Sequence, residues 1–496
     1  MSTMHLYQGA VASASGLAVP RASRRHVHLS DDPMVILGYH LAGEPAAPVA
    51  MMWGRSVTTP RLFVVPEPRE RAIRFEALSA FATDLVDYMT TARDPQIVLA
   101  NAASASWLLK FVGRFTRYLR IDGPTPAPMS IRTAGGHLTF LHQEYETPGS
   151  STVLTAVDAL TMHFRTGQMP SEDQNLAALL GWVRPGPGMT GLDSAMLAER
   201  TDPPSGPLSD PEWDRRVLES AGELWRDAAG DGDLQRRARR RLEDGARDAL
   251  DPGWNQVWTT LGIMSGIPEA SRVAARRIDD MRRMRDHRDR AAAGQMFFRI
   301  QPEAASSAWV LQRHERAAEQ LRAEMVLDDP LLMAAVLTDE PAVSGTVIAV
   351  EPDHFERNPR RHRRPLLRIR LDLPTYATES VDLHGVETLE LVVQVRTTTD
   401  EIAEVVIIKG ANNRDSDHRI PSVGAHVVFS PYRVKEFRNG GGPGDTPWTH
   451  VLPQEDDPVE DGEVGTGAAG GSGGAASAGP SVGSSDVGPN VSGAAS

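Results

Sequence analysis

The chain has 496 residues, a formal net charge of -13, 41% hydrophobic and 24% charged residues, and no cysteine. That length exceeds one ordinary core, so two or three domains are expected. The lack of cysteine excludes disulfides, thiolate zinc sites and cysteine nucleophiles, and no apolar run is long enough to predict a membrane-spanning helix.

A cysteine-free composition suits a cytoplasmic location. Among the 52 basic residues only Lys110, Lys409 and Lys435 are lysines. Arginine is the better bidentate partner for phosphate. A GC-rich coding genome explains the same bias, together with the abundant Ala, Gly and Pro, so arginine content alone decides little.

In chain order, residues 1–32 contain a mildly apolar stretch, Gly9 to Pro20, followed by Arg21, Arg24 and Arg25. A secretory signal has the reverse order, so a disordered arm is expected. Residues 33–200 suit a mixed α/β domain. Short β-like runs at Met34–Gly43, Pro48–Gly54 and Arg61–Glu67 are bounded by Gly and Pro. They lead to a helix in which Phe75, Leu78, Phe81, Leu85 and Met89 recur at helical spacing. A strand at Pro95–Asn101, a helix around Trp107–Leu119, strand-like pieces at Ser130–Ile131 and Leu138–His142, and helices at 152–164 and 171–183 follow.

Residues 201–340 read as helical, with Trp254 and Trp258 sharing one helix face as core residues. Together with the α/β domain they are expected to form one body. Residues 341–438 change to a period of two. In LLRIRLDL, Leu367, Ile369, Leu371 and Leu373 point one way while Arg368, Arg370 and Asp372 point the other. LELVVQVR repeats the pattern, and five such strands predict a small β-barrel that resembles an OB-fold or an SH3-like barrel. Residues 439–496 are acidic and then rich in Gly, Ala and Ser; they lack the apolar area to fold and are expected to be disordered. The fold class is a multi-domain α+β protein with a helical middle.

Motifs for chemistry are poor. Gly186–Gly191 spells G-x-G-x-x-G, but a helix and not a strand runs into it, so it reads as a loop. No Walker sequence occurs, which excludes a P-loop ATPase, and the histidines match no zinc motif. No cofactor or metal is expected. The order of three strands, a helix, a strand and a helix, with VLANAASASWLLKFV running from the fourth strand into the helix after it, resembles the ribonuclease-H-like DEDD exonucleases. That likeness implies a metal-binding Asp four residues after Asn101, where Ala105 stands, and Asp-x-Glu on the first strand, where MVILGYHL has no acid. Asp173 alone cannot hold two metals, so the resemblance implies a catalytically dead scaffold.

Three arginine-rich segments remain. Arg357, Arg360, Arg361, Arg363 and Arg364 crowd the loop between the first two barrel strands, and Arg368 and Arg370 continue from it. Crowded guanidiniums repel one another, and an anionic partner relieves that repulsion and releases counterions. Arg237, Arg240 and Arg241 lie in QRRARRRLEDGAR, which has few acids. In SRVAARRIDDMRRMRDHRDR the acids lie three or four residues from arginines and are expected to pair with them on a solvated face, around a narrow apolar stripe of Ala274, Ile278, Met281 and Met284 or Arg285.

The resulting expectation is a non-catalytic accessory protein, bound to the phosphate backbone of DNA or RNA without sequence preference, beside an enzyme on another chain. The alternatives are a protein–protein scaffold with no nucleic-acid role, and an enzyme using acids such as Glu172 and Asp173.

Overall fold

A computed structural model describes residues 3–122, 126–204, 206–296, 304–357, 361–379, 381–388, 390–411 and 413–434. All of these belong to one unit, residues 1–445. The tail expected to be disordered lies outside the described residues.

Five strands build one sheet: β1 (Met34–Leu41), β2 (Glu44–Gly54), β3 (Arg61–Val64), β4 (Ile97–Leu99) and β5 (Val153–Thr155). Their order is β3-β2-β1-β4-β5. β2 runs antiparallel to both neighbours, whereas β4 is parallel to β1 and to β5. These strands are apolar on both sides because both faces are covered. Met34, Ile36, Met51, Trp53 and Phe63 pack beneath helices Arg71–Thr91 and Met129–Tyr145. On the opposite face Val35, Leu37, Tyr39, Ala50, Met52 and Val98 meet Leu242, Ala246, Leu250, Trp254 and Val257 of the long helix Gly232–Ser265. The helical middle thus supplies the third layer of the N-terminal sheet, and the two form one body. Trp254 is buried and donates to the carbonyl of Val57 at 3.0 Å, so the tryptophan pair is core.

Five expectations need correction. The segment 152–164, expected as a helix, opens with strand β5 at Val153–Thr155, and its helix spans only Ala156–His163. Residues 129–145 form one helix and no strand. Ile131, Ala134, Leu138 and Leu141 follow a helical period that the glycine pair at 135 and 136 hides. Gly135 serves close packing: an added Cβ would lie 2.4 Å from the backbone nitrogen of Arg117.

The arm is ordered. Thr3–Ser15 is a helix, and Val19–Pro20 pairs antiparallel with Phe164–Arg165. Its anchors are distant in sequence: Asp339 accepts from the Thr3 and Met4 amides, and buried Asp329 accepts from the Ser23 and Arg24 amides. A segment whose own residues are small gains its order from these contacts.

Helix Val273–Ala292 buries Val273, Arg277, Asp280, Met284 and His287, while Ile278 is 64% exposed. The spacing is helical, but the stripe is turned and largely polar. Arg277 reaches Asp94 and Asp280, and Arg283 reaches Glu144 and Asp280, so half-buried Asp94 and buried Glu144 on other elements, with Asp280 of the helix itself, hold the arginine face inward.

The barrel has six strands where five were expected: β6 (Val343–Glu351), β7 (Leu366–Leu371), β8 (Asp382–Gly385), β9 (Val392–Thr398), β10 (Ile402–Lys409) and β11 (His426–Ser430). It closes in the order β7-β10-β9-β8-β11-β6, with β6 against β7 and every pair antiparallel. Closure leaves no edge strand. The missed strand, β8, has four residues, and only Leu383 and Gly385 are buried. The barrel meets the helical body where Arg322 and Tyr432 both bind Glu340, at 3.0 and 2.7 Å. Among the described residues no helix is long and apolar enough to cross a membrane.

Candidate nucleic-acid interface

Between β6 and β7 the chain makes a short hairpin, Phe355–Arg357 against Arg361–Arg363, with Arg357 opposite Arg361. Arg360 and the side chains of Arg357 and Arg361 lie outside the described residues. Arg363 is turned inward. Its Nη1 donates to Asp417 at 2.7 Å, its Nε lies 3.4 Å from Asp353, and its side chain is 9% exposed. The Arg364 guanidinium donates to the carbonyl of Ile408. Arg368 donates to Glu404 at 2.8 Å across the β7–β10 ladder. Arg370 remains exposed beside it. Two of the arginines expected at phosphate, Arg363 and Arg368, are therefore held by carboxylates, and a third is spent on a carbonyl. A pair of this kind leaves little net charge for a ligand.

The first arginine helix differs. Ala238, Leu242 and Ala246 fasten one side of helix Gly232–Ser265 to the body, which turns Arg237, Arg240 and Arg241 to solvent. Their neighbours are occupied: Arg236 pairs with Asp233, and Arg239 lies 3.3 Å from Glu76 and 5.4 Å from the ring centroid of Trp225. Among the described residues no carboxylate pairs with Arg237, Arg240 or Arg241. At about 1.5 Å of rise per residue, Arg237 and Arg241 stand about 6 Å apart along the axis. Three fixed cations within two turns can contact an anionic chain, and the helix backbone holds their spacing.

The carboxylates weighed for catalysis are occupied elsewhere. Asn101 caps a helix by accepting from the amide and the hydroxyl of Ser104, both at 3.0 Å. Ala105 is buried. Asp173 is buried and accepts from Thr166 Oγ1 at 2.7 Å and Gln168 Nε2 at 2.9 Å, while Glu172 accepts from the Met169 amide. His137 faces His287, Nδ1 to Nε2, at 2.8 Å. Among the described residues no group of three His, Asp or Glu could hold a metal ion.

The carboxyl end of the sheet is also filled. In open α/β sheets ligands sit in the crevice where strand order reverses, which here lies between β1 and β4. These strands pair only at Met34 and Val35. Farther along, Leu208 takes the vacated edge, accepting from the His40 amide and donating to the Gly38 carbonyl, each at 3.0 Å. Trp107 covers Gly38 and donates to the Pro45 carbonyl at 2.9 Å. Sequence reading missed this plug, because PPSGPLSDP has the composition of a linker and shows its strand-like pairing only beside β1. Comparison with protein-family models, with curated proteins and with solved structures gives no match.

Proposed function

We propose that the protein binds nucleic acid through its phosphate backbone and acts as a non-catalytic accessory to an enzyme on another chain. The observation that carries this reading is the exposed, unpaired set Arg237, Arg240 and Arg241 on one rigid helix, with Arg370 as a second contact on the barrel. Such contacts attract any phosphate chain and read no base, so sequence-tolerant binding is the expected outcome. The C-terminal region supports this reading as a small closed antiparallel barrel of six strands.

A second reading, a degenerate ribonuclease-H-like scaffold, is supported by the element order of β1 to β3, helix Arg71–Thr91, β4 and the helical run that follows. The two readings are compatible, since the arginines of helix Gly232–Ser265 lie apart from the filled crevice at the sheet's carboxyl end.

The test is a mobility-shift series with single-stranded DNA, duplex DNA and RNA at several salt concentrations. Each released phosphate contact contributes about 0.9 to the log–log salt slope on duplex DNA. The triple variant R237E/R240E/R241E is expected to flatten that slope by about 2 to 3, whereas R363A leaves it unchanged. Binding that is absent or independent of salt would overturn the proposal. Retention of a protein partner at high salt, with no nucleic-acid binding, would favour the scaffold reading instead.

A further inference from the structure

Residues 19–28 form a strap that runs across the body and collects distant partners. Arg21 donates its amide to the carbonyl of His163 at 2.8 Å, and Arg25 exchanges backbone hydrogen bonds with Pro268 and Ala270. Asp329, 1% exposed, accepts from the Ser23 amide, the Ser23 hydroxyl, the Arg24 amide and the Leu331 amide. Leu331 belongs to helix Pro330–Asp339, which leads into the barrel. The strap therefore ties the sheet body to the helix that carries the barrel.

At its centre is a histidine with one possible protonation state. His163 is fully buried at the end of helix Ala156–His163. Its Nδ1 lies 2.7 Å from the Ala159 carbonyl, so Nδ1 must carry the hydrogen. Its Nε2 lies 3.0 Å from the backbone nitrogen of His26, so Nε2 must accept from that N–H. The ring is neutral by geometry. A proton added at Nε2 would point an N–H at another N–H and remove the acceptor that the His26 amide has among the described residues. That amide is buried, and a buried donor left without an acceptor is costly.

We infer that the strap is an acid-released clasp, in which protonation of His163 expels the backbone at His26 and detaches residues 19–28 from the body. The charges facing His163 do not rescue the cation. His26 stacks on it with ring centroids 6.0 Å apart, and Arg25 adds positive charge from the strap. Asp329 is the one facing acid, and its oxygens already serve the strap's own backbone. His26 lies 3.3 Å from Asp329, and burial holds its pKa down as well, with Asp329 and Asp328 opposing that shift and Arg276 adding to it. His163, whose Nε2 accepts from the His26 amide, is the group whose protonation breaks a strap contact directly.

Burial, then the positive neighbours, hold the His163 pKa down from 6.5 to about 4, against the opposing pull of the Ala159 bond and Asp329. The detached strap leaves His163 in water near its ordinary value, so the open form takes up the proton first. Docking is at full strength above about 6.5 and is lost as pH falls toward about 4. His137 and His287 are also held low, but they join helices Met129–Tyr145 and Val273–Ala292, away from the strap.

The test is amide hydrogen exchange of the full chain near about pH 7.5 and about pH 5, corrected for the intrinsic pH dependence. Opening of residues 19–28 is expected to rise roughly thirtyfold, while helix Gly232–Ser265 keeps its protection. In His163→Gln, whose amide can accept from His26 without titrating, the rise is expected to shrink to about threefold or less. Where that variant does not fold, exchange of the imidazole C2 hydrogen in the unaltered chain reports the His163 titration, expected at a midpoint below about 5. Strap protection that is insensitive to pH, a full rise in the glutamine variant, loss spread evenly over the chain, or a His163 midpoint near 6.5 would each overturn the inference.

Discussion

Asp280→Ala is expected to lower stability by about 3–5 kcal/mol, the range for removing one partner from a buried ion network. Asp280 is 2% exposed and accepts from three donors: the Ser151 amide at 2.8 Å, Arg283 Nη2 at 2.6 Å and Arg277 Nη1 at 3.3 Å. Asp94 and Glu144 still hold the two arginines in the variant, but the Ser151 N–H has no substitute. A buried amide, part of the buried Arg277 guanidinium and part of the half-buried Arg283 guanidinium would be left unpaired. Asp279→Ala, one residue away, removes an exposed pair with Arg282 and is expected to change stability by about 0.5 kcal/mol or less. Urea denaturation followed by circular dichroism compares the two. Equal effects would show that the network carries no special share of the stability.

Gly38→Ala is the second substitution with a large expected effect. An added Cβ would come within 1.9 Å of Trp107 Cζ3 and 2.2 Å of Cη2. The indole cannot swing aside, because it is 3% exposed and tethered to Pro45. Overpacking commonly costs about 1–3 kcal/mol, and a pinned ring puts this site at the upper end or above. Trp107→Ala is expected to cost about 3–5 kcal/mol on its own. In that background Gly38→Ala should become nearly neutral, because the Cβ then enters the space the ring has left. A double-mutant cycle should return a coupling of about 2–3 kcal/mol; simple additivity would refute the contact. Emptying the crevice adds no carboxylate, so the double variant is expected to show no metal-dependent nuclease turnover.

The same contrast between local and distant contacts explains how much was legible. Phe75, Leu78, Phe81, Leu85 and Met89 are all buried on helix Arg71–Thr91, as their spacing predicts. Leu367 and Ile369 face the barrel core, with Arg368 and Arg370 outside. These assignments depend on the period of one element, which is written in consecutive residues. Helix Met129–Tyr145 was hidden because two glycines interrupt its pattern, and β8 because four residues carry no period. The arm was unreadable because its order comes from Asp329 and Asp339, more than three hundred positions away.

The candidate site divides in the same way. Arg237, Arg240 and Arg241 could be chosen from their excess over nearby acids, and their exposure follows from the helix period. The partners of Arg363 and Arg368 lie 54 and 36 positions away and become neighbours only when the barrel closes. By itself, then, the sequence determined the strongly periodic elements, such as helix Arg71–Thr91 and strand β7, and the faces they bury, because a side chain's direction is set by the repeat of its own helix or strand. Only the tertiary structure decided which arginines meet a carboxylate and which stand exposed without one among the described residues. Pairing requires an oxygen within a few ångströms, and strands and helices far apart in the chain supply it.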